Sequence, residues 1–219
     1  MRFAPAFWII GILVIDHNAI AASKARDKPT AIQVMNETDK YILEQIRLSV
    51  WSGFYSASEV DEMIDDILED DANEAMLRAA VLPEFEKKRQ AEATWPKVTD
   101  FDRLQGAFVA LDKQNILCLH NAGYTMSDGH EDAAEALAKN PRKKYVGYCF
   151  YHGQDLERAI NGTGLMLAFD HVDGDVPDKL KVGIAIKSAL EAAGFSVTWD
   201  GTTEQRINIP KFDWKHRYR

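Results

Sequence analysis

Cysteine is scarce in this chain: Cys118 and Cys149 are the only two in 219 residues. A fold stapled by many disulfides is thereby excluded, and a chain of this length can bury a core without covalent staples. Base is also short of acid, with 26 Lys and Arg against 34 Asp and Glu and a formal charge of −8. A chain of that sign repels a phosphate backbone, so nucleic acid is not an expected partner. The apolar run from Phe3 to Ile15 falls short of the roughly 20 residues that a membrane span needs, so stable membrane insertion is not expected. No HExxH, CxxC, GxSxG or phosphate-cradling glycine loop is present. Ser127 precedes a helix start and Cys149 sits inside a strand-like run, so neither has the setting of a catalytic nucleophile.

What is present begins with a leader-like layout. Arg2 precedes the apolar run, and Ala19, Ile20, Ala21 and Ala22 follow it. Residues 1–22 therefore have the order of a secretory signal peptide, cleaved near Ala22 or Ser23, and export to a periplasm or the medium is expected. The alternative is a cytoplasmic protein whose translation starts at Met35. From Met35 to Trp95 the chain carries fifteen acids against six bases, and Glu59 to Asp71 holds eight acids and no base. Such a run reads as a solvated helix face, or as an interface for a cationic partner.

Periodicity places a helical front at residues 35–113 and a sheet-forming part at 114–219, together a single domain. Ile42, Ile46 and Val50 recur at four-residue spacing up to Gly53. Ser56 and Glu59 form a capping box ahead of the stripe Val60, Met63, Ile64, Ile67 and Leu68. A third helix is expected from Asn73 towards Trp95, with a kink or break at Pro83 because proline lacks a backbone donor and clashes with the preceding turn. A fourth opens at Thr99 and turns Phe101, Leu104, Phe108, Val109 and Leu111 to the core. The period then becomes that of strands at Ile116–Leu119, Tyr145–Tyr151 and Leu165–Phe169, with helices at 128–139 and 155–160 between them. Lys179 to Ala193 is expected to be the most buried helix, and Asp200-Gly201 to turn Phe195–Trp199 back into Arg206–Pro210 as a hairpin. The resulting class is α+β, a helical front on a mixed sheet of four or five strands with flanking helices; the helix–strand alternation after residue 115 keeps α/β as the alternative.

Parallel neighbours would gather the groups beyond their carboxyl ends on one rim. The binding candidates there are Asn121, Tyr124, Tyr151, His152, Gln154, Asp155 and Asp170. His120, His171, Asp173 and Asp175 would lie on the same rim. His152 could exchange a proton near neutral pH with Asp155 orienting its ring, or Asp155 could simply cap the helix that follows. The two cysteines read as buried thiols, with a disulfide open to them if their strands are neighbours and the protein is exported. His120, His130, His152, His171 and Asp173 lack metal-ligand spacing, and residues 170–175 lack the ligand pattern of a calcium loop, so neither metal nor cofactor is expected.

Trp95 with TDFDRLQGAFVALDKQNI, then GYCFYHGQDLERAINGTGLMLAF, VTWDG and the closing DWKHRYR, resembles a bacterial family known as domain of unknown function 6891. The likeness covers most of Met35 to Arg219. It implies a shared fold and transfers no activity. Members of the family it resembles often have a cysteine-rich turn where this chain reads LCLHNAG, with Cys118 its single cysteine. The functional expectation is a soluble, non-catalytic binding protein, toxin-neutralising or ligand-sensing, for a protein or small-molecule partner. The alternative is a hydrolase using His152 and Asp155 in a polar cleft.

Overall fold

The computed structural model describes residues 35–218, so the leader-like segment lies outside the described residues. Seven helices and four strands follow in the order α1 (Glu37–Ser52), α2 (Ala57–Ile67), α3 (Glu74–Glu92), α4 (Asp100–Asp112), β1 (Ile116–Leu119), α5 (Met126–Lys139), β2 (Gly147–Phe150), α6 (Gly153–Ile160), β3 (Leu165–His171), α7 (Val176–Ala192) and β4 (Ile207–Ile209). The fold is α+β. One device starts most of the helices: Asn36, Ser56, Thr99, Thr125 and His152 each cap the first turn, and an acid three residues on reaches back to the cap's own amide. Each box satisfies two donors that a helix start would otherwise leave unpaired.

The sheet runs β1-β2-β3-β4. β1 and β2 are parallel, whereas β2–β3 and β3–β4 are antiparallel. The main core lies between the sheet and the helices α4 and α7, where Leu104, Leu111, Ile186 and Leu190 meet Cys149, Leu165 and Leu167. A smaller cluster of Ala122, Phe150 and Ala168 fills the other face, and there Gly129 of α5 lets the Phe150 ring approach so closely that a Cβ would sit 2.2 Å from it. The helical front has its own core of Ile42, Ile46, Val50, Val60, Ile64, Leu77 and Val81. α1 contacts α6. The C-terminal segment completes the join: the Trp214 indole N–H donates to the carbonyls of Trp51 and Ser52 at the end of α1, and the His216 ring stacks 3.6 Å from Phe101 at the start of α4.

Four local expectations need correction. α3 does not break at Pro83: it runs from Glu74 to Glu92, because Leu77 and Val81 anchor its inner face while Pro83 and Ala79, whose carbonyl loses its donor, are exposed to solvent. Val109 is 48% exposed, so it lies off the buried stripe of α4. α7 is an amphipathic surface helix, not the most buried one: Ile184 is 51% exposed, while Val182, Ile186 and Leu190 face inward. Phe195–Trp199 pairs with β4 only at Thr198 and Asn208. The expected hairpin opens into a loop because the Trp199 ring turns onto Phe169 and its N–H is held by the carbonyls of Thr202 and Gln205.

Ile64 is buried on α2 and Glu62, two residues away, is exposed. Ile64→Asp is expected to unfold the helical front, by placing an unpaired charge in its core, and Glu62→Ala to change stability by less than about 0.5 kcal/mol. Thermal melts of the two variants check this; equal tolerance would contradict the packing of α2.

Candidate functional site

β1 and β2 end side by side at Leu119 and Phe150, and the chain continues the pairing beyond them. Ala122 N–H donates to the Tyr151 carbonyl at 2.9 Å, Gly153 N–H to the Gly123 carbonyl at 2.9 Å, and Gln154 N–H to the Tyr124 carbonyl at 3.3 Å. Gly123 has φ +56°, and a Cβ there would meet the Asp128 Cβ at 2.2 Å, so only glycine permits this crossing. The loop and the start of α6 form one wall of a cavity of about 300 Å³, and α1 forms the other. Leu48, Leu156 and Ile160 supply its apolar surface. Gln45, Ser49, Ser52, Tyr55 and Asn121 supply neutral polar groups, with the Asn121 amide donating to the Tyr55 hydroxyl at 3.2 Å.

Glu157 is the one carboxylate in the lining, which contains no Lys, Arg or His. Tyr124 lies beside it; burial first, then the Glu157 charge and hydrogen bond, push the phenol's pKa above its ordinary value. The first amides of α6 are already spent on Gly123, Tyr124 and His152 carbonyls, so this helix start offers no donors to an anion.

The residues expected on the rim divide into three groups. Asn121 and Tyr124 line the cavity, and Gln154 is exposed outside its lining. Tyr151, His152 and Asp155 are buried behind it, at 0%, 3% and 0% exposure. Asp170 is at the opposite end of the sheet, a correction that follows from the reversed direction of β3. It pairs with Tyr148 near the start of β2 and binds the Lys179 ammonium at 3.0 Å. His171 and Asp173 are turned away with it, and Asp175 caps α7.

His152 is the cap of α6: its Nδ1 lies 3.4 Å from the Asp155 amide, and its Nε2 lies 3.2 Å from both Asp155 Oδ2 and Arg206 Nη1. Arg206, just ahead of β4, closes the group by donating from Nη1 to both Asp155 oxygens at 2.9 Å, and its Nη2 reaches Met166 Sδ at 3.2 Å. Burial pushes the His152 pKa down; Asp155 opposes this and Arg206 reinforces it. Both ring nitrogens face partners inside the protein, and the residue is only 3% exposed. Among the described residues, no three His, Cys, Asp or Glu side chains group so as to hold a metal ion, and no helix is long and apolar enough to cross a membrane.

Sequence reading missed Leu48, Ser49, Tyr55 and Glu157 as cavity walls, and Arg206 as the partner of Asp155. None of them belongs to a motif. Only tertiary packing brings α1 to the rim.

His120 lies on the far side of the same loop, beneath Phe101 and Phe108. The enclosed Tyr151 hydroxyl shares a hydrogen bond with its Nδ1 at 2.9 Å, and Nε2 is buried with no hydrogen-bond partner among the described residues. Burial, then the charge of His216, pushes its pKa down to about 4. His130 is shifted in the same direction by burial. A histidine whose folded pKa is depressed stabilises the fold above its unfolded pKa, near 6.5, and the contribution is lost as pH falls towards the folded value. Lowering the pH from 7 to 5, above the carboxylate range, is expected to cost about 2 kcal/mol through His120 alone, with His152 and His130 adding in the same direction. Chemical denaturation across that window, repeated on His120→Gln, should give a shallower slope in the variant; identical slopes would contradict a neutral His120.

No curated protein and no solved structure matches the chain. A family model does match, over residues 35–218: the chain belongs to the family described as domain of unknown function (DUF6891).

Proposed function

We propose that this chain is a soluble, non-catalytic binding protein whose cavity at the β1–β2 rim senses a small uncharged or cationic ligand. The observation that carries the reading is the character of the lining, which combines apolar walls, neutral amides and hydroxyls, and one carboxylate, Glu157, with no base. A volume of about 300 Å³ is at the lower end of small-molecule sites, which favours a compact ligand over a docked protein surface. The acidic stretch of α2 offers less to a basic protein partner than its composition implied, because Asp61 and Asp65 already share the Arg78 guanidinium with Glu74. Hydrolysis finds less support, since the His152 and Asp155 polar atoms are committed to the cap and to Arg206.

An NMR titration with short primary amides, alkylammonium ions and carboxylates tests the proposal through backbone amide shifts. Amides and alkylammonium ions are expected to move Gly123, Tyr124, Gly153 and Glu157, and carboxylates to leave them in place. Glu157→Gln should weaken alkylammonium binding by about tenfold, equivalent to about 1.4 kcal/mol, and leave primary amides unaffected. Preferential binding of carboxylates, or shifts confined to another surface, would overturn it.

A further inference from the structure

Cys118 and Cys149 stand directly opposite each other in the parallel β1–β2 pair, with their sulfur atoms 3.2 Å apart and no bond between them. Cys149 is fully buried beneath the main core, and Cys118 is partly exposed at the edge of it. Neighbouring strands lie about 4.8 Å apart, within the roughly 4.4–6.8 Å Cα separation that a disulfide spans. Both side chains point to the same face, so closure to the S–S bond length of about 2.05 Å asks for side-chain rotation, not strand displacement.

We propose that Cys118 and Cys149 form a reversible disulfide site that covalently joins β1 to β2. The oxidant is a small-molecule disulfide of the glutathione class. Cys118, the more accessible thiol, loses its proton and attacks one sulfur of the oxidant; a protein–small-molecule disulfide forms and one small thiolate leaves. Cys149, deprotonated in turn, attacks the Cys118 sulfur and expels the second thiolate. The two thiol protons end on the two small thiols. The protein has lost two electrons and the oxidant has gained them, so the exchange balances.

The surroundings set its pace. The Cys118 and Cys149 sulfur atoms share a hydrogen bond, and the Cys118 thiol lies 3.7 Å from the Ile116 carbonyl. That hydrogen bond first, and burial second, raise the Cys118 pKa well above the ordinary thiol range. The reduced pair is therefore protonated at neutral pH, and exchange should be slow there and faster as pH rises. Export, expected from the leader-like segment, would place the pair where disulfides persist.

The test equilibrates the native full chain in glutathione buffers from fully reduced to fully oxidised, quenches with acid, unfolds and alkylates it, and measures intact mass and peptide map. The expected product in oxidised buffer is lighter than the reduced chain by two hydrogen atoms, resists alkylation, and yields one peptide linking Cys118 to Cys149. Dithiothreitol should return it to two alkylatable thiols. Cys149→Ala should instead stop at a glutathione adduct on Cys118, and Cys118→Ser should give no cross-link. Full alkylation of both thiols of the wild-type chain in the most oxidised buffer would overturn the proposal, and so would a stable glutathione adduct on the wild type without the internal link.

Discussion

The Asp155 carboxylate is wholly enclosed, and a buried charge of this kind persists only where it is paired and hydrogen-bonded. Arg206 meets both of its oxygens, His152 meets one, and its backbone amide in turn holds His152 in place as the helix cap. Three parts of the chain that are distant in sequence thus share one charge: the end of β2, the start of α6 and the approach to β4. The direction in which α6 leaves the sheet follows from this, and so does the position of Gly153, Leu156 and Glu157, which form one wall of the cavity.

The opposite wall depends on α1, and the C-terminal segment holds it there. Trp214 and His216 both bond to carbonyls at the end of α1, while Arg217 donates to Pro96 and lies over the Trp95 ring. The aromatic, basic ending of the chain is therefore a clasp between the helical front and the sheet-bearing part. It explains why the apolar residues of this tail belong to the main core and not to a surface. The cavity lies where these two assemblies meet, and its chemistry is correspondingly mild: packing groups form most of it, and the ionisable His152–Asp155 pair is kept behind the wall.

Much of this architecture was legible from local chemistry. Ile116–Leu119 stands out as a strand and Ser56 with Glu59 as a helix start, because a short apolar run and a capping box are short-range signals. The direction of β3 was not legible. The segment between β2 and β3 is long enough for a parallel crossover, yet α6 is only eight residues and the turn at Gly162 and Gly164 sends the chain back antiparallel. That reversal removed Asp170 from the rim and left Asn121 and Tyr124 on it. The sequence offers Asp155 as the group that orients His152 or as the cap of α6, because an imidazole at the cap position falls outside the Ser or Thr template; the structure makes His152 the cap and Asp155 its partner three residues on. The further partner of Asp155, Arg206, lies fifty-one positions away from it, beyond any spacing rule. Glu157 and Ser49 carried no signal, since a residue becomes a cavity wall only through the element packed against it.

The central claim is that His152 frames the cavity and does not act in it. His152→Asn tests this most directly, because asparagine is among the best capping residues and retains the bond to the Asp155 amide while removing the imidazole. Alkylammonium binding measured by NMR on the folded variant is the deciding quantity. The expected result is a melting temperature lowered only modestly and an affinity at Gly123, Tyr124 and Gly153 equal to that of the wild type. A variant that keeps its fold but loses that binding would contradict the claim and place the imidazole in the site itself.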